Sequence, residues 1–167
     1  MIGEAEDGVD IALYLEQALL ERLHSNDPIA TLNRENIADF WTAFEGVSHF
    51  TYFVFKAASN QCVTLLELEL QAEVDKFVAT SLLLHGQAGR VPAGLHRWLF
   101  DMPSFAPSLT DAELERYVSA NRYAARFCRK LARQFRDWGW TEQGLRELRR
   151  FYRLPRQEKI GYIEATR

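Results

Sequence analysis

The chain has 167 residues, of which 47% are hydrophobic, 13% aromatic and 26% charged, a globular balance that excludes disorder and leaves room for one domain with a core built without disulfides or metals. Its net charge of −3 is unevenly divided: residues 1–89 hold four cations against fourteen acids, −10, and residues 90–167 hold sixteen against nine, +7. Such polarity implies either that the halves attract each other or that each meets a different partner. The acidic start MIGEAEDGVD lacks the basic region of a secretory signal, and no apolar run approaches the roughly 18 residues of a membrane span, so a cytoplasmic protein is expected. Cys62 and Cys128 form no C-x-x-C pair and fall within apolar helical patterns, which suggests buried thiols in a reducing compartment.

In chain order, residues 9–24 place Ile11, Ala12, Leu15, Leu19 and Leu23 on one broad apolar face, predicting a first helix that ends at the turn formers Ser25, Asn26, Asp27 and Pro28. Asn33 reads as an N-cap with Leu32 and Ile37 as its staple, opening a helix from about Arg34 to Glu45 that stops at Gly46.

Residues 47–70 carry two competing patterns. The stretch from His49 to Phe55 is rich in strand formers and Leu66–Leu70 alternates with period two, as in a β-hairpin turning at Ala58–Gln61. Against that, Val63, Leu66, Leu70, Val74, Phe77, Ser81 and Leu84 recur at threes and fours beside a second stripe of Leu65, Leu68, Ala72, Ala79 and Leu83. Two stripes describe a central helix packed on both sides, and the helical reading is preferred over the hairpin.

Gly86 and Gly89 suit a helix C-cap, and Pro92 can open a short helix through Phe100. Thr110 and Glu113 form a capping-box pattern ahead of a long helix from Asp111 to about Trp138. On it, Tyr117, Ala120, Ala124, Phe127, Leu131, Phe135 and Trp138 lie opposite Arg122, Arg126, Arg129, Arg133 and Arg136, so packing the apolar face leaves the arginines outside. Trp138-Gly139-Trp140 makes the turn, Thr141 caps a last helix to Leu154 before Pro155, and a second cationic set follows on it at Arg146, Arg149, Arg150 and Arg153. The fold class expected is all-α, a single-domain bundle of five or six helices.

Catalytic signatures are sparse. His24, His49, His85 and His96 show none of the H-E-x-x-H or Glu-x-x-His spacings of metal sites, and no metal or other cofactor is expected. Glu67, Glu69, Glu73 and Asp75 offer carboxylates on the central helix, but such spacing usually belongs to a solvated stripe or to pairs with arginine. Neither a G-x-S-x-G serine nor a glycine-rich phosphate loop is present, so the sequence gives an enzymatic activity no support, without excluding one. Phe50, Phe53, Trp98 and Phe100 suggest an apolar pocket for a small-molecule sensor, although aromatics more often fill the core.

Sixteen of the twenty cations are arginine, whose fork suits carboxylate and phosphate, although a GC-rich genome produces the same bias. The arginine face therefore has four readings: a solvated surface, a counterpart to the acidic half, a docking surface for an acidic protein partner, and a phosphate-contacting nucleic-acid site with Tyr123 stacking on a base. A pI near 5.8 weighs against a general DNA binder. The function expected is a regulatory or interaction module that binds an acidic protein, with nucleic-acid binding as the alternative.

Overall fold

The computed structural model describes residues 2–5, 8–103, 105–138 and 141–165, with side chains from residue 11 onward except those of 104 and 134–140. The molecule is a helical bundle. Two short strands, β1 (Ile2–Ala5) and β2 (Gly8–Ile11), pair antiparallel at the N-terminus. Seven helices follow among the described residues: α1 (Gln17–Ser25), α2 (Ile37–Ala57), α3 (Leu65–Ala88), α4 (Leu95–Phe100), α5 (Asp111–Trp138), α6 (Glu142–Arg153) and α7 (Arg156–Ala165).

The central helix is α3, packed against α2 on one side and α5 on the other, as its two apolar stripes require. Thr64 accepts from the Glu67 N–H to open it, and Gly89 closes it at φ 69°, a left-handed conformation that favours glycine. Leu70, Val74 and Phe77 of α3 meet Leu95 and Phe100 of α4, Ala120, Ala124, Phe127 and Leu131 of α5, Phe151 of α6 and Ile163 of α7 in one core. Phe127 and Phe151 stack at 4.0 Å between centroids, fixing α6 on α5. A second cluster joins Leu32, Ile37 and Phe40, so Leu32 and Ile37 meet as the sequence suggests, although α2 begins at Ile37 behind Asn36 and not at Arg34 behind Asn33.

Several boundaries differ from expectation, each for a physical reason. Residues 47–57 are helix, as preferred over the hairpin, but they continue α2: Tyr52 is buried and Phe55 packs on Tyr152 while Val47, Phe50 and Val54 face outward, and the turn at 58–61 joins α2 to α3 with Asn60 at φ 52°. Gly46 does not end a helix. It is a notch inside α2, where a Cβ would sit 3.1 Å from Leu13 Cδ1 and 3.5 Å from Leu15 Cδ2. Those leucines explain why the first helix begins at Gln17 rather than near residue 9, since the preceding segment crosses α2 at this notch. Seven helices stand where five or six were expected, because Pro155 opens α7 instead of ending the fold; Lys159 N–H donates to the Pro155 carbonyl. Cys128 is buried as foreseen, but Cys62 is exposed in the α2–α3 turn.

Candidate functional site

The capping signals position the arginine face. Thr110 Oγ and N–H both donate to the Glu113 carboxylate and Glu113 N–H returns a bond to Thr110 Oγ, which starts α5 at Asp111. Ala120, Ala124, Phe127 and Leu131 are fully buried, while Arg122, Arg126, Arg129 and Arg133 are exposed. The turn at 139–140 and the side chains of Phe135, Arg136 and Trp138 lie outside the described residues. Thr141 caps α6 through the Gly144 N–H, and Arg146, Arg149, Arg150 and Arg153 all face solvent.

Their partners are few and local. Arg146 and Arg149 approach Glu142 of their own helix at 3.3 and 3.7 Å, Arg126 donates to the Glu164 carbonyl, and Arg122 and Arg150 lie over the rings of Tyr123 and Tyr162. Arg129, Arg133 and Arg153 have no ion pair among the described residues. Tyr123, foreseen as exposed, is instead partly buried against the core.

The ion-paired carboxylates of the acidic half meet mostly that half's own few cations. Asp39 takes a bidentate contact from Arg22, which holds its carboxyl below the usual range. Lys56 meets Glu67 at 3.1 Å, and Lys76 meets Glu45 at 2.9 Å and Glu73 at 2.6 Å. Burial works against the charge on Lys76, but the two glutamates more than offset it and raise its pKa.

The α3 carboxylates are not the solvated stripe that their spacing suggested, because α2 and α5 cover them. Glu67 and Glu69 are only 1% and 6% exposed. Glu69 lies 3.3 Å from His49 Nε2 on α2 and 3.8 Å from Arg116 Nε on α5. Neither nitrogen makes a hydrogen bond. With Glu45, one turn before His49, these side chains bring three donor atoms within 4.8 Å of one another. Tyr117 closes the group; burial, with Glu69 and Glu45 nearby, pushes its phenol up to about 12. Glu45 and Tyr117 line two adjoining cavities of about 580 and 530 Å³, the first also lined by His49 and the second by Glu73 and Lys76. The sequence signal that could have found this cluster is Glu45-x-x-x-His49, an i, i+4 pair on one helix face.

Deeper in the bundle, Lys159 of α7 is fully buried. Its Nζ donates to Gln71 Oε1 and lies over the rings of Tyr52 and Phe151 at 4.3 and 4.8 Å. Gln71 in turn donates to Asp75, which also accepts from Ser48. The Tyr52 hydroxyl donates to Glu67, and Lys56 bonds the Leu154 carbonyl. Burial lowers Lys159 to about 7, with Glu67 opposing.

The four aromatics proposed as a pocket are dispersed. Phe50 is exposed and Phe53 partly buried on α2; Trp98 is 44% exposed and packs on Trp41, whereas Phe100 is core, beside Phe77 and His96. Of the four, Trp98 alone lines a described cavity, an open groove with Leu32, Ile37, Leu84 and Leu95. No described helix is long and apolar enough to cross a membrane. Comparison with protein-family models, with curated proteins and with solved structures finds no match to this chain.

Proposed function

We propose that the protein is an interaction module whose α5 and α6 arginines dock an acidic protein segment. One observation carries the reading: Arg129, Arg133 and Arg153 are exposed without an ion pair among the described residues, while the ion-paired carboxylates of the first half meet other cations. An exposed guanidinium keeps its hydration until a carboxylate arrives, and a row of them favours fast, salt-sensitive capture over tight binding.

The test uses poly-glutamate as the acidic probe and duplex DNA and single-stranded RNA as competitors, at low and at physiological salt. Retention of poly-glutamate by the wild-type chain, and its loss in the triple variant Arg122→Glu, Arg129→Glu, Arg133→Glu with unchanged circular dichroism, is the expected result. Equal retention by the variant, or tighter binding of the nucleic acids with a steep salt dependence, overturns the reading.

A further inference from the structure

We infer that Glu45, His49 and Glu69 form a binding site for one divalent first-row transition metal ion. The cluster is mixed in chemistry, one imidazole nitrogen with two carboxylate oxygens, and it is contributed by two helices held side by side in the core. Its three donor atoms already lie within 4.8 Å of one another. Bonds of about 2.1 Å place neighbouring ligands roughly 3 Å apart, so small rotations of two glutamates close the remaining distance without moving either helix.

Two details separate this group from an ordinary ion-pair network. His49 Nε2 is shut off from water, stands 3.3 Å from a Glu69 oxygen and still makes no hydrogen bond. For a ring nitrogen shut off from water that is an uncompensated cost, and a bond to a metal supplies the missing partner. Glu69, more than nine-tenths buried, is approached at 3.3 and 3.8 Å by His49 and Arg116 and lies within hydrogen-bonding reach of the Tyr117 hydroxyl. By contrast, Glu67 on the same helix is answered closely, by Tyr52 at 2.6 Å and Lys56 at 3.1 Å. Within the cluster, the unfilled position is that of His49 Nε2.

The surroundings suit a bound cation. Two glutamates balance a divalent charge, Lys76 anchors the second Glu45 oxygen, and Arg116 lies on the outer side of Glu69, an arrangement in which outer partners orient the ligands. Three protein ligands leave coordination positions open, and the adjoining cavity of about 580 Å³ reaches them from solvent. The nitrogen–oxygen donor set selects manganese, iron or zinc over magnesium and calcium, which prefer oxygen alone.

Mn2+ is the probe of choice, because the exposed thiol of Cys62 attracts zinc but not manganese. The full-length chain is titrated with Mn2+ and the free ion read by electron paramagnetic resonance. One site per chain is expected, weakened about 100-fold or more in His49→Ala, beyond the roughly 10–100-fold that loss of an outer partner costs. Glu45→Gln, which keeps a hydrogen-bond acceptor for Lys76, should weaken it comparably, and its more exposed position guards against a folding failure at residue 49. His85→Ala, at an exposed histidine, should change nothing. Absence of a stoichiometric site in the wild-type chain, or equal affinity in folded His49→Ala and Glu45→Gln, overturns the assignment.

Discussion

Lys159→Met is expected to flatten the pH dependence of folding stability on the alkaline side of neutrality. In the folded chain the ammonium is buried against Tyr52 and Phe151 and titrates near 7; unfolded, it returns to 10.5. Between those values the unfolded chain holds a proton that the folded chain has shed, so stability rises with pH across the window. The limiting slope is about 1.4 kcal/mol per pH unit, and since titration is only half complete at pH 7, the gain from pH 7 to 8.5 is roughly 1–2 kcal/mol. Beyond that point Cys128 opposes it. Burial holds its thiol well above the ordinary 9.0, so the unfolded chain ionises first and stability falls. Urea unfolding at half-unit steps of pH measures the effect, with the difference between wild type and variant isolating this lysine from every other titrating group. The substitution also leaves Gln71 Oε1 without its donor, which lowers stability by an amount that does not vary with pH. Parallel stability curves for the two proteins would refute the buried, near-neutral lysine.

Two further substitutions probe the packing. Phe151→Ala removes a ring 1% exposed and stacked on Phe127, and is expected to cost about 3–5 kcal/mol in urea unfolding; a loss below 1 kcal/mol would mean that α6 is not docked there. Gly46→Ala gains helix propensity of roughly 1 kcal/mol, against the small displacement of Leu13 Cδ1, the tip of an exposed side chain. A modest rise in melting temperature is expected, and a fall would show that the Leu13–Leu15 crossing is rigid.

The parts of this fold legible in the sequence were those with local causes. Thr110 with Glu113 and Thr141 with Gly144 are caps written within four residues, and the α5 face follows from spacing alone. What escaped notice depends on distant chain. The alternation Leu66-Glu67-Leu68-Glu69-Leu70 resembles a strand because the glutamates are buried too, each met by groups from other helices, so polarity no longer marks the outside. Pattern reading assigns charge to solvent and thereby misplaced Glu67 and Glu69, and it gave no sign that Lys56 and Lys159 are buried. Likewise, the first helix was read too long because nothing local announces that Leu13 and Leu15 are needed at Gly46.

The position of Lys159 has a consequence for how the chain comes apart. Removing a terminal helix from most bundles exposes a dry apolar wall, a surface that water avoids. Here the withdrawal of α7 uncovers Gln71 and the Tyr52 ring beside it, with Asp75 and Ser48 next in line. Water can flood that shaft and satisfy every group in it. Tyr162 and Ile163, seated on the aromatic stack and core, resist the departure, as do the bonds of Arg126 to the Glu164 carbonyl and of Tyr162 to Glu147. The C-terminal helix thus behaves as a stopper in a wettable throat, and acidification, which charges Lys159, loosens it first.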